Sequence, residues 1–166
     1  MPSPSLAEGG PVLKPALEAY FVEYDDDHRS HMNQLTHQVA IPLIVFHVLA
    51  MLSWISLGAP FGYALNLAHV VWLAATLFYL TLDVRLGLLI GLLMAVCFPI
   101  AAVTPKLVVV LVAIVGWLVQ LAGHIVWEKR QPAFLENLLQ ALIGPLFFVA
   151  KLIGLWPART ATVTSH

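Results

Sequence analysis

Four long apolar stretches, each closed by a short polar or charged break, dominate the middle of the chain: residues 39–57, 64–82, 86–103 and 107–127. A helix rises ~1.5 Å per residue and needs about 20 apolar residues to cross ~30 Å of hydrocarbon, so each stretch is predicted to form a transmembrane helix. Between Val39 and Trp127 only Asp83, Arg85 and Lys106 are charged, and all three fall at the breaks. Pro42 stands near the start of the first stretch, where a missing N–H costs little. Upstream, Leu17, Tyr20, Phe21 and Tyr24 recur at i, i+3, i+4 and i+7, which predicts a short helix over residues 16–24 lying on the membrane or on other helices. Asp25, Asp26 and Asp27 read as a solvated helix start leading into a polar stretch, residues 28–38. Near the C-terminus, residues 134–156 are interrupted by Glu136, Asn137, Gln140 and Lys151 and divided by Gly144-Pro145. That pattern predicts an interfacial or re-entrant helix pair, with a fifth span as the alternative.

The predicted fold class is therefore all-α, a polytopic membrane helix bundle of about four transmembrane helices plus the C-terminal interfacial or re-entrant segment. Residues 16–156 form one membrane-embedded domain. The Pro- and Gly-rich leader, residues 1–15, and the polar tail, residues 157–166, cannot bury enough apolar surface to offset ordering and are expected to be disordered. The first apolar stretch begins only near Val39, so an uncleaved anchor is expected rather than a removed signal.

Composition strengthens this picture. The chain is 60% hydrophobic and 10% charged, where a soluble domain carries roughly 25% charged residues. A formal net charge of −1 offers no clustered basic face for nucleic acid. Cys97 is the only cysteine, which excludes an internal disulfide and a thiolate metal cluster. The Lys and Arg residues set the orientation: a cytoplasmic N-terminus collects Lys14, Arg29, Arg85, Lys129 and Arg130 on that side and leaves Lys106 opposite. The host membrane would be the cytoplasmic membrane in a bacterium or the endoplasmic reticulum in a eukaryote. His37 and His124 then lie at similar depth near the cytoplasmic face.

Gln120, His124 and Glu128 are four residues apart, so a helix places them along one stripe as it leaves the membrane. Gly116 and Gly123 would allow close packing beside it. Ionisable groups in a span normally face a protein interior, a partner or a pathway; the plainer alternative has Glu128 starting a loop and His124 bonding a backbone carbonyl. Asn33 and His37 are also four apart. His28 and His37 are nine apart, half a turn out of phase at 3.6 residues per turn. If both bind one ion, the chain must break between them, and Ser30 is the plausible N-cap of the second piece. Three imidazoles with a carboxylate nearby suit iron or zinc. His47 and His69 lie inside apolar stretches and are better explained by partners on neighbouring helices, His31 reads equally well as a surface residue, and His166 falls in the tail.

His28, Asn33 and His37, followed by Ile41-Pro42, resemble the first motif of the small membrane family that includes the fungal 2-hydroxy fatty acid dioxygenase. Gly116-Trp117, Gln120, Gly123-His124, Glu128-Lys129-Arg130, Pro132-Ala133 and Asn137-Leu138-Leu139 resemble its second motif more closely still. Ala40 replaces a common glycine before Ile-Pro, and Lys151 stands where the family usually has an acidic residue, which places a cation near the site. The resemblance implies an Fe(II)-dependent dioxygenase that shortens 2-hydroxy fatty acids by one carbon in lipid α-oxidation. It implies iron ligation by His28, His37 and His124. Asn33 and Glu128 would orient the imidazoles, and Gln120 would line the pocket. The implied partners are a long-chain 2-hydroxy fatty acid, dioxygen and the bilayer; oligomeric state is not legible. Two other classes compete: a small transporter or proton relay running through Gln120, His124 and Glu128, and a non-catalytic membrane scaffold.

Overall fold

The computed structural model describes residues 13–129, 131–132 and 139–156. The leader up to residue 12, the tail from residue 157 with His166, and Arg130, Ala133, Glu136, Asn137 and Leu138 lie outside the described residues. The described residues form an all-α bundle of six α-helices, α1 (Pro15–Asp27), α2 (His31–Leu52), α3 (Leu67–Leu82), α4 (Val84–Val103), α5 (Lys106–Ala122) and α6 (Leu139–Leu152). A wide π-type turn, Gly123–Glu128, prolongs α5. The exception to helix is a two-stranded antiparallel hairpin between α2 and α3, Ser56–Gly58 against Leu65–Asn66.

Among the described residues three helices are long and apolar enough to cross a membrane: α2, α4 and α5 with its π turn. Their outward faces carry Leu88, Leu92, Val96, Leu111 and Leu118, all exposed, a surface suited to lipid rather than water. The third predicted stretch matches α4 closely. The second forms α3, apolar but only 16 residues long, or ~24 Å.

α2 begins at His31 rather than Val39. Its polar first turns continue the helix because Asn33 and His37 face inward and are fully buried, so the helix needs no apolar start. Pro42 consequently sits inside α2, where its missing N–H leaves the Gln38 carbonyl without a helical donor. Asp25–Asp27 end α1 rather than start a helix, and Asp25 is buried beside Lys151, 3.6 Å from its Nζ. Within the described residues the C-terminal segment is one helix, not a pair, and α6 runs through Pro145. Gly144 lets Tyr24 close on it, since a Cβ there would meet the Tyr24 hydroxyl at 3.0 Å.

Packing fixes the helix directions. The Lys106 ammonium at the start of α5 lies 5.3 Å from the Trp54 ring centroid, just past the end of α2, so α5 returns antiparallel to α2. At Gly116 the two are so close that a Cβ would stand 3.3 Å from that of Leu43. Lys14 Nζ donates to the Thr81 carbonyl (3.1 Å), tying α1 to the end of α3 and hence to the start of α4. α4 therefore starts at the same end of the bundle as α2. There α1 and α6 pack through Leu17, Phe21, Tyr24, Ile143, Leu146 and Phe147, with Phe21 and Phe147 edge to face at 5.5 Å.

Candidate metal centre

The three histidines of the two motifs meet where the start of α2 and the end of α5 adjoin. One ring nitrogen from each of His28, His37 and His124 lies within 4.8 Å of the others, and all three residues are buried. The chain break required between His28 and His37 is present: α1 stops at Asp27 and α2 starts after Ser30. Ser30 occupies the N-cap position, but its side chain makes no capping bond. The Glu128 carboxylate accepts from the Ser30 N–H (2.9 Å) in its place, and also from the Arg29 N–H (3.1 Å) and Asn33 Nδ2 (3.1 Å). An anion at a helix N-terminus is favoured by the orphan N–H groups and the dipole.

Backbone carbonyls orient two of the imidazoles. His28 Nδ1 donates to Tyr24 O (2.7 Å) and His37 Nδ1 to Asn33 O (2.8 Å). A carbonyl can only accept, so in each neutral ring Nδ1 carries the proton and Nε2 keeps its lone pair. Glu128, expected to orient an imidazole, makes its hydrogen bonds instead with the α1–α2 junction that presents His28. Asn33 orients His37 through its main chain, and its side chain holds Glu128.

At the inner side, His37 Nε2 lies 2.9 Å from His124 Nε2 and accepts from Gln120 Nε2 at 2.7 Å. Two imidazole lone pairs facing one another repel unless a proton or a cation lies between them. His124 Nδ1 and Gln120 Oε1 are buried with no hydrogen-bond partner among the described residues, a costly state that fits groups arranged around a further ligand. Burial holds the His28 imidazole below its ordinary value, against the opposing pull of the Tyr24 carbonyl and the Glu128 and Asp25 charges. That keeps it neutral, as ligation requires. Three buried imidazoles, two of them oriented by backbone carbonyls, fit a divalent transition metal such as iron or zinc.

The glycine and the wide turn make the junction possible. A Cβ on Gly123 would stand 2.5 Å from Asn33 Oδ1 and would also overlap the Thr36 hydroxyl. The π turn re-aims the residues after Gly123 and ends on Lys129, whose φ of 55° is left-handed and whose N–H bonds the His124 carbonyl. Such turns recur at functional sites.

The remaining histidines stand apart. His47 Nδ1 donates to Leu43 O of its own helix (2.9 Å). His69 completes a capping box with Asn66 and stacks on Phe98 at 4.6 Å. His31 is exposed at the first position of α2. Two residues join the site that the sequence did not mark for it, Tyr24 and Gln34. Tyr24 stacks on His28 at 4.0 Å, and its position four residues before His28 was the available signal. Gln34 donates to the His28 carbonyl (2.6 Å) and accepts from Lys151 Nζ (3.0 Å); nothing in the spacing marks that link from α6. A cavity of about 320 Å³ opens beside His37 between α2, α4 and α6, lined largely by apolar side chains.

The chain is 28% identical over 145 residues to the 2-hydroxy-palmitic acid dioxygenase MPO1 of Saccharomyces cerevisiae, an alignment covering 82% of this chain and 80% of the yeast protein. No solved structure matches. The family model described as "2-hydroxy-palmitic acid dioxygenase Mpo1-like" matches residues 15–155, from the first residue of α1 to just beyond α6, and the chain belongs to the Mpo1-like family.

Proposed function

We propose that this protein is an Fe(II)-dependent dioxygenase that shortens 2-hydroxy fatty acids by one carbon, with His28, His37 and His124 holding the iron. The observation that carries the reading is three buried imidazoles converging beside an apolar cavity in a membrane protein. The name of the yeast relative supplies the substrate class.

The overall reaction balances without an organic cofactor: a 2-hydroxy acid and one dioxygen give the acid one carbon shorter, carbon dioxide and water. The substrate supplies the electrons. Fe(II), when bound, supplies the capacity to activate dioxygen. The chain's own residues do the rest. Tyr24 O and Asn33 O fix two ring orientations, Glu128 clamps the junction that carries His28, and the Gln120 side chain stands 2.7 Å from His37 Nε2, a hydrogen bond that a metal on that nitrogen would replace. Gln120 and the apolar cavity wall are the groups placed to meet substrate. A relay through Gln120, His124 and Glu128 has less support, because both Glu128 oxygens accept from N–H groups at one end of the bundle.

The test is turnover by protein purified anaerobically and loaded with Fe(II). A long-chain 2-hydroxy acid with oxygen should yield the acid one carbon shorter, the unhydroxylated acid should react poorly, and His124→Ala should abolish both activity and stoichiometric iron. Oxygen-independent turnover, or no shortened product across several chain lengths, would overturn the assignment. Full metal content in His28→Ala, His37→Ala and His124→Ala would overturn the ligand set alone.

A further inference from the structure

The cavity beside His37 has a sealed end and an open side. His37 and Ile90 in its wall are 0% and 3% exposed, while Leu93 and Leu152 are 50% and 74% exposed. The rest of the wall is nearly all hydrocarbon, with Ile41, Val45, Met94, Val149 and Phe148 among its side chains. The open side lies between α4 and α6, on a bundle whose outer surface is built for lipid. Two lining residues carry strongly polar side chains, the exposed Gln38 at the rim and the buried His37 beside it, and His37 also contributes its Nε2 to the histidine cluster.

An amphiphile with a polar head and an apolar tail matches this gradient. A phospholipid fits less well, because its bulky headgroup would have to reach the buried end. We propose that the cavity is the acyl-chain site for the 2-hydroxy acid, entered sideways from the bilayer between α4 and α6, so that the protein holds only the carbons nearest the carboxylate. The choice of occupant rests on the dioxygenase reading above. On α2 the lining runs from His37 to Val45, eight residues or ~12 Å. At ~1.3 Å of rise per carbon, from C–C bonds of ~1.5 Å, that span takes about nine carbons. The rest of a longer tail stays in the lipid. Affinity should therefore rise with chain length up to about ten carbons and change little beyond, because later carbons exchange one apolar environment for another.

The test is photocross-linking of the full chain in phosphatidylcholine vesicles without oxygen, so that it needs no turnover. The probe is a sixteen-carbon 2-hydroxy acid with a diazirine about eight carbons from the carboxylate. Adducts are expected on Val45, Leu93, Met94 or Cys97, falling at least tenfold with excess plain 2-hydroxy acid although phospholipid is present throughout. Met94→Trp or Cys97→Trp, which fill the cavity, should reduce them comparably while metal content is retained. Adducts only on the outward Leu88, Leu92 and Val96, or cavity adducts that the free acid does not displace, would overturn the proposal. Displaceable cavity adducts without turnover would uphold the cavity and count against the dioxygenase. Turnover with adducts only elsewhere would do the reverse.

Discussion

Glu128 is the residue whose replacement most directly tests how the centre is held together. Its carboxylate touches no imidazole but accepts three hydrogen bonds, from Arg29 N–H, Ser30 N–H and Asn33 Nδ2. In Glu128→Gln one oxygen can still take the Ser30 and Asn33 donors, while the new amide group faces the Arg29 N–H and that bond is lost. A hydrogen bond to a charged group contributes roughly 1.5–3 kcal/mol, and Glu128 is partly exposed, so the lower figure applies. If the junction it restrains presents His28 to the metal, ~1.4 kcal/mol of lost restraint is about tenfold in metal affinity. Glu128→Ala removes all three bonds and should approach the ~100-fold end of the range for residues that support metal ligands. The assay is competition with a chelator of known affinity, run on the wild type, Glu128→Gln, Glu128→Ala and Asn33→Ala. The expected order of affinity is wild type, Gln, Ala. Equal affinity for all four would show that the α1–α2 junction is held by other contacts. A Gln variant as weak as Ala would show that the charge itself matters, not the three bonds.

Two further perturbations follow from the packing. Gly123→Ala puts a methyl group 2.5 Å from Asn33 Oδ1 and against Thr36. It should cost roughly 1–3 kcal/mol of stability and reduce metal affinity as α5 is pushed from α2, whereas Gly58→Ala, with nothing near its Cβ, should leave affinity unchanged. A chelator titration showing equal losses would remove the close-packing argument. Lys151 and Asp25 have side chains only 12% and 9% exposed at 3.6 Å, so Lys151→Met should destabilise by roughly 3 kcal/mol and Lys151→Glu by more. Adding Asp25→Asn to Lys151→Met should recover part of the loss in denaturant midpoint; strict additivity would show that the pair does not couple.

The apolar pattern made the bundle legible because membrane spans need long runs and charges collect at their breaks. It misplaced the start of α2 because burial by protein, not hydropathy, decides the environment of Asn33 and His37. The break between His28 and His37 was legible from helical phase alone. What closes the break was not, since the Glu128 bonds to Arg29 and Ser30 link positions 99 and 98 residues apart. The π turn was equally invisible: Gln120, His124 and Glu128 fit an α-helical stripe, but the wide turn re-aims the last of them. Lys151 stood out as an interruption of the last apolar segment and, through the family resemblance, as a cation near the site. Its contacts with Asp25 and Gln34 give the cation a place in the packing of α6 against the α1–α2 junction.

The proposed ligands His37 and His124 come from segments 87 residues apart, and neither segment can present a complete site alone. α2 and α5 must first approach at Gly116 and Gly123, the chain must break after Asp27, and Glu128 must fill the N-terminus of α2. On the proposed ligand set, metal binding and the packing of this end of the bundle are therefore linked equilibria. A ligand that binds only the assembled form stabilises it by about 2.7 kcal/mol when present at 100 times its Kd. Conversely, a substitution that loosens the assembly lowers the apparent affinity in proportion to the fraction of protein that stays assembled, however far it lies from an imidazole. Such coupling would let a small chain with few polar residues hold a metal at one end of a membrane bundle. The Glu128 carboxylate satisfies the Arg29 and Ser30 N–H groups, so the contacts that close the junction also hold His28 beside His37 and His124.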